Sequence, residues 1–291
     1  MNSCPVIPLS KYDKTPRIIA IGDIHGDWDI LIKCLLLANV IRLNKYNKYD
    51  WIGSNTVVVQ VGDILDSRCR AQICHKENPG NNEELIYKFL INLNKEAEKV
   101  GGNVLIVLGN HELMNIMGDL SFASDHAVNA FGGYDNRKKI FQPGIGYWAN
   151  LLACNANSII QVGSWLFAHA GLTIDHIVDD IDAINVPVRN YMLGKQPSLN
   201  PTIMDFFWHR NYERGYSCDD FIKYISQLKG LSAPKGMVIG HSVQSDGITN
   251  ICDGKIWKID IGMSRAFGNN NRVQVLEILN DGDSINILES N

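Results

Sequence analysis

No stretch of the 291 residues is both apolar and long enough to span a bilayer. The first residues, MNSCPVIPLSKYDK, lack the apolar core and the cleavage pattern of a secretory leader, which predicts none. There is no internal repeat, no low-complexity tract and no Pro/Gly/Ser linker, so a single domain over residues 1–291 is expected. Charge of one sign is also missing. A formal net charge of -4 argues against non-specific attraction to nucleic acid or to a membrane surface. The seven cysteines (Cys4, Cys34, Cys69, Cys74, Cys154, Cys218 and Cys252) are scattered and odd in number. That pattern suits reduced thiols and a cytoplasmic setting better than a disulfide framework. For Cys69 and Cys74, a C-x4-C pair, packing or surface thiols are expected ahead of a redox switch.

What is present is ordinary globular material, 45% hydrophobic and 20% charged, in a legible rhythm. Short β-rich runs (RIIAI at 17–21, TVVVQV at 56–61, VLIVL at 104–108) alternate with the helical patterns 28–37 and 83–100. Right-handed βαβ units follow from this. Later come a strand pair within 158–168, a helix over 219–228, a strand at 237–239, and two hairpins turning at Asp253-Gly254 and Asp281-Gly282. An α/β start and a mostly antiparallel end predict two sheets packed face to face with helices outside. Residues 115–157 and 175–214 are less regular and are expected as cap-like loops.

Five predicted strand ends deliver the same kind of residue: Gly22-Asp23-Ile24-His25, Gly62-Asp63-Ile64-Leu65-Asp66, Gly109-Asn110-His111, Ala168-His169 and Gly240-His241. A lone Gly-Asp after a strand is usually only a turn. Carboxylate, amide and imidazole gathered on one sheet rim are instead a hard O/N ligand set for divalent metals. The absence of cysteine from the pattern disfavours a structural zinc site. Two metals about 3.5–4 Å apart, bridged by one carboxylate, can hold a phosphoryl group and supply a bridging hydroxide for attack on it. Asp63 fits the bridging position, His111 the general acid and Asp66 the group that orients it. His75, His126 and His176, in polar stretches, are expected at the surface.

GDIHGD (22–27), GDILDSR (62–68), GNHE (109–112), AHAGL (168–172) and GHS (240–242) resemble the calcineurin-like metallophosphoesterases, and GNHE their PPP-type protein phosphatase branch. MNIMGD (114–119), FWHRNY (207–212) and CDGKIWKIDIGMS (252–264) are similar to the bacterial-like, Shewanella-like subgroup. The resemblance implies the metallophosphoesterase fold, an α/β (α+β) β-sandwich in αββα layers. It places Asp23, His25 and Asp63 on a first metal, and Asp63, Asn110, His169 and His241 on a second. The metal identities, Mn, Fe or Zn, stay open. It also implies phosphate contacts from Arg210, Arg68 and Asn110. The family's Asp-Arg-Gly is here Asp66-Ser67-Arg68. Either a local bend absorbs Ser67 and brings Arg68 to phosphate, or Arg68 is a solvated loop cation. His209 stands where the subgroup has an aromatic and reads as loop filling. Phe206, Phe207, Trp208 and Tyr212 read equally as core or as a pocket for an aromatic phosphoester. The function implied is metal-dependent hydrolysis of phosphomonoesters (Ser/Thr or Tyr) on phosphoproteins. Competing readings are a dinucleoside polyphosphate hydrolase and an inactive scaffold of the same fold.

Overall fold

β-Branched runs form strands and amphipathic runs form helices in the computed structural model, which describes residues 3–70, 82–176, 178–213, 217–268 and 272–290. The first half contains β1 (Lys11–Tyr12), β2 (Arg17–Ile21), α1 (Trp28–Leu37), the small hairpin β3 (Ile41–Leu43) and β4 (Tyr49–Trp51), β5 (Val57–Gln60), α2 (Glu83–Glu98) and β6 (Asn103–Val107). Four helices follow: α3 (Asn110–Ile116), α4 (Asp125–Ala130), α5 (Tyr134–Phe141) and α6 (Tyr147–Asn155). Then come β7 (Ala156–Asn157), the hairpin β8 (Ile159–Val162) and β9 (Trp165–Ala168), α7 (Asp182–Met192), α8 (Pro201–Trp208) and α9 (Cys218–Ile225). The chain ends with β10 (Gly236–Ile239), β11 (Thr249–Ile251), β12 (Ile256–Lys258), β13 (Val273–Leu279) and β14 (Ser284–Ser290).

Two six-stranded mixed sheets result, ordered β14-β13-β2-β5-β6-β7 and β1-β8-β9-β10-β12-β11. Side chains alternate across each strand. Ile18, Ala20, Val57, Val59, Leu105 and Val107 of one sheet meet Ile160, Val162, Phe167 and Val238 of the other in a shared core. The opposite faces, with Ile19, Ile21, Val58, Ile106, Leu166 and Met237, pack in a second core that includes the helices. This is the two-sheet sandwich flanked by helices that the sequence predicts. Register then does the positioning. Ile21 pairs Gln60 and Gln60 pairs Ile106, so the turns after β2, β5 and β6 leave one rim together. Ala168 and Lys258 both pair Ile239, so the turns after β9, β10 and β12 do the same in the other sheet.

Three expectations change. The segments 115–157 and 175–214, expected as loops, hold the end of α3 together with α4–α8. Short helices of six to eleven residues carry too few periods for sequence pattern to register them. His176 is buried at 4% exposure, accepting from the Thr173 N–H at 2.9 Å, because a 3-10 turn folds its polar stretch inward. His126 is exposed as expected, and His75 lies outside the described residues. Most of the described cysteines pair: Cys4–Cys154 and Cys218–Cys252 are disulfides with Cα separations of 5.1 and 5.2 Å, Cys69 is disulfide-bonded too, and Cys34 is a buried free thiol. Cys74 lies outside the described residues. Partners 150 and 34 residues apart leave no local mark in a sequence. The pairing removes the cysteine-based ground for expecting a reducing compartment.

The shared core sets the spacing of the two rims. Phe167, fully buried in it, is expected to cost about 3–5 kcal/mol of unfolding free energy on substitution by alanine. The denaturant midpoint measures this, and a loss below about 1 kcal/mol would mean that the sheets close over the gap.

Candidate metal centre

Two turns of the first sheet are tied by one side chain, and a third by a main-chain carbonyl. Glu112, buried at the start of α3, accepts from the N–H groups of Asp63 and Gly109 through one oxygen (2.9 and 2.7 Å) and of Ile64 and Leu65 through the other (2.9 and 3.0 Å). The Asp63 carbonyl in turn accepts from Ile24 and His25 at 3.2 and 3.0 Å. His25, Asp63, Asp66 and His241 adopt left-handed backbone conformations, with φ of 39°, 53°, 68° and 66°. Such residues cluster at functional sites because the surrounding structure must hold them there. Glycine at 109 and 240 is a matter of space: a Cβ would lie 2.2 Å from Asp63 Oδ1 and from Asp23 Oδ1, respectively.

The structure brings together all six expected ligands. His25 Nδ1 donates to the Leu65 carbonyl at 2.9 Å, His169 Nδ1 to Val61 at 2.9 Å and His241 Nε2 to Trp208 at 3.3 Å. Each backbone carbonyl thus fixes a ring and turns its other nitrogen inward. Two groups of donor atoms share Asp63: His25, Asp63 and His111, and Asp63, His169 and His241, each within 4.8 Å. Asn110 Oδ1 faces His169 Nε2 at 2.9 Å and His241 Nδ1 at 3.0 Å. Held by its carbonyl and kept neutral by burial, His241 turns an acceptor nitrogen toward that acceptor oxygen, while Asp63 raises the pKa of His169 against its burial. A cation between them resolves the conflict. Asp23 lies beside this group, accepting from the His241 N–H at 3.1 Å.

Charge makes the same point. Asp23, Asp63, Asp260 and Glu112 are all buried. Burial, with Asp260 and Asp63 close by, pushes the Asp23 carboxyl well above its usual range. Burial also lifts Asp260, to about 6. Around Asp63, burial raises the carboxyl, but His169, His111 and His25 outweigh it and hold it well below that range. Burial keeps His25 neutral, helped by Arg70, and lowers His241 to about 3. A buried, anion-rich set of O and N donors fits divalent cations.

Beside it, His111 Nδ1 donates to Asp66 Oδ2 at 2.9 Å, as the acid pair requires. Arg68 is not at the site: it is exposed, and its Nη1 donates to the Ser121 carbonyl at 2.6 Å. Arg70 occupies the place instead. Its guanidinium lies between Phe122 and Phe267, 5.2 and 4.9 Å from the ring centres, and Nη2 donates to His111 Nε2 at 3.0 Å. Its Nη1 is buried without a hydrogen-bond partner among the described residues. Arg210, exposed on the opposite side, donates to the His241 carbonyl at 3.1 Å and pairs with Glu213 at 3.1 Å. His209 is buried and donates from Nε2 to the Gly171 carbonyl at 2.8 Å, bracing the turn after His169. Phe206, Phe207 and Tyr212 are core residues, and Trp208 is half-buried against them.

Sequence reasoning missed Asp260, Arg70, and the buried Arg137 and Asn115 that touch Asp66. Asp260 carried a signal, since it ends the KID run two residues after β12, on the rim where His169 and His241 emerge. Metal uptake by protein treated with EDTA is expected to displace the proton held by the Asp23–Asp260 pair. A carboxyl lifted to about 6 is protonated below that pH, so affinity should fall as pH drops through 6, with proton release growing. Calorimetric titration in two buffers of different protonation enthalpy measures this. Affinity constant between roughly pH 5 and 8 would contradict it.

Comparison with known proteins agrees with this geometry. A calcineurin-like phosphoesterase profile matches residues 16–245. The chain is 28% identical to Shewanella-like protein phosphatase 2 of Arabidopsis thaliana, over 97% of this chain and 80% of that protein. It is 28% identical to Shewanella-like protein phosphatase 1 of Plasmodium berghei, over 88% and 70%. Among solved structures, the cold-active protein-tyrosine phosphatase of a psychrophilic Shewanella superposes with a TM-score of 0.71 at 20% identity, covering 97% of this chain and 83% of that one. With its sandwich, its five strand-end turns and a match over most of its length, the chain belongs to the calcineurin-like phosphoesterase family.

Proposed function

We propose that this chain is a metal-dependent phosphoprotein phosphatase. The observation that carries the reading is the convergence of two donor groups on Asp63, next to a histidine–aspartate pair and an arginine with an unused, buried N–H. The names of its relatives as protein phosphatases in Arabidopsis and Plasmodium support the substrate class.

Asp23, His25 and Asp63 would hold one ion, and Asp63, Asn110, His169 and His241 the other. Bound there, divalent metals supply Lewis-acid charge at the phosphoryl oxygens and lower the pKa of a water. The protein's own groups do the rest. Arg70, whose buried Nη1 has no hydrogen-bond partner among the described residues, would offer it to a phosphoryl oxygen, and its aromatic flanks would keep water from competing for it. His111 turns Nε2 toward the leaving oxygen, to which it would deliver a proton once Arg70 Nη2 is drawn off that nitrogen, while Asp66 fixes Nδ1–H. Arg210 adds positive charge beside His241 at the far rim. Phe122, 40% exposed and edge-on to His111 at 5.2 Å, offers an aryl ester a surface to lie on, which favours phosphotyrosine over phosphoserine.

A substrate panel with added Mn²⁺ tests the reading. Phosphotyrosine peptide is expected to exceed phosphoserine peptide, with diadenosine tetraphosphate well below both and all activity lost in EDTA. Dominant activity on the dinucleotide would sink the phosphoprotein assignment. Separately, Arg70→Ala is expected to lower kcat/KM by about 30- to 1,000-fold, roughly 2–4 kcal/mol, with metal content unchanged. Arg68→Ala, at the surface, should change it by less than about threefold. The reverse order would return the phosphate contact to Arg68.

A further inference from the structure

Behind the histidine–aspartate pair lies a polar cluster that the metal centre does not use. Arg137, on α5, is fully buried, its guanidinium 4.8 Å from the ring centre of Phe131 and 5.5 Å from that of Phe141. Its Nη2 donates to Asp66 Oδ1 at 3.1 Å, its Nε to Asn115 Oδ1 at 2.8 Å, and its Nη1 pairs with Glu83 Oε2 at 2.7 Å. Asn115 Nδ2 donates to the same Asp66 Oδ1 at 2.9 Å and to the His111 carbonyl at 2.9 Å. Glu83 Oε1 accepts from the Asp66 N–H at 2.8 Å. Both carboxylate oxygens and the N–H of Asp66 are therefore committed: Oδ1 to Arg137 and Asn115, the N–H to Glu83 and, among the described residues, Oδ2 to His111 Nδ1 alone.

We infer that Arg137 is a positioning residue for general acid catalysis. It clamps one oxygen of Asp66, so that the other holds His111 with its Nε2 toward the leaving group. Burying three charged groups in one cluster is costly, and an apolar cluster of the same volume would stabilise the fold at least as well. A function that needs a charged fork is the economical account of its presence. Only a guanidinium reaches Asp66, Asn115 and Glu83 at once from one side chain, since lysine offers one point of charge rather than a planar fork. The three acceptors sit on the turn after β5, on α3 and on α2. Arg137 thereby fixes the carboxylate against both elements that flank it, while Asp66 itself holds a left-handed backbone with φ of 68°. A carboxylate free to rotate would share both oxygens with His111 and let the ring turn.

The inference rests on the proposed role of His111 as acid, and the test separates the two. An acid matters for a poor leaving group and hardly at all for a good one. Steady-state kinetics on phenyl phosphate and on 2,4-dinitrophenyl phosphate, with Mn²⁺ and with metal content and melting temperature recorded, are compared for wild type, His111→Ala, Arg137→Lys and Asn115→Ala. Arg137→Lys keeps the buried charge and so favours retention of the fold. Its kcat on phenyl phosphate is expected to fall by about 10- to 100-fold, a part of what a general acid contributes. On the dinitrophenyl ester it should change by less than about threefold, with KM unaltered on both. Asn115→Ala, which removes the other bond to Oδ1, should show the same selectivity in smaller measure. Equal losses on both esters in Arg137→Lys and Asn115→Ala, with His111→Ala still selective, would make Arg137 a scaffold residue and overturn this inference alone. Equal losses in His111→Ala as well would remove the acid role and the inference with it.

Discussion

Burial of several carboxylates at one sheet rim is the constraint on which the rest of this structure depends. Asp23, Asp63, Asp260 and Glu112 come from turns or helix starts that follow strands of two different sheets, and all are withdrawn from water. Carboxylates in that setting must find donors, cations or protons. Glu112 finds four backbone N–H groups, and Asp63 finds three imidazoles and the His111 N–H at 3.0 Å. Asp23 and Asp260 are left facing each other, and without a cation they are driven toward sharing a proton. The cations that a phosphoesterase needs are therefore also what makes this rim electrostatically complete.

Holding the charges so close demands strained turns. Four site residues adopt positive φ, at a cost of order 1–3 kcal/mol each, toward the lower end because Asp and His tolerate the left-handed region better than most residues. That cost is offset away from the site. The inter-sheet core, with Val59, Phe167 and Val238 fully buried, fixes the two rims relative to each other. Glu112 then converts that rigidity into loop geometry through main-chain bonds alone. A shift of either sheet would separate His169 and His241 from Asp63, because their turns hang from β9 and β10 and Asp63's from β5.

How much of this was legible follows from how local each cause is. The six residues expected as ligands, and His111, were readable because each sits within four residues of a strand end, marked by a Gly or a small residue that the turn needs. The layered sandwich was readable from short β-rich runs alternating with helical patterns. Arg70 was not readable, because whether residue 68 or 70 turns inward is decided by the path of a loop whose backbone bonds to Phe122 and Ala266 lie far along the chain. Arg137 was hidden for a similar reason: it reaches Asp66 across 71 residues, from a helix in a segment that read as loop. The disulfides and the burial of His176 depend likewise on tertiary approach rather than on pattern.

The displacement of the phosphate arginine has a physical logic of its own. Arg68 is solvated and engaged with Ser121, so drawing it to a phosphate would mean stripping its water and ordering a long side chain. Arg70 has already lost most of that water. Its guanidinium is packed between two rings, its backbone N–H donates to Ala266 at 2.8 Å, and one of its inner N–H groups has no partner to give up among the described residues. Its other inner group rests on His111 Nε2, the atom proposed to carry the proton for the leaving oxygen. On that proposal, a phosphoryl dianion arriving beside Arg70 would compete for that N–H and free Nε2 to be protonated. Substrate binding and arming of the acid would then be one exchange of hydrogen bonds, made in a site whose desolvation was met when the chain folded.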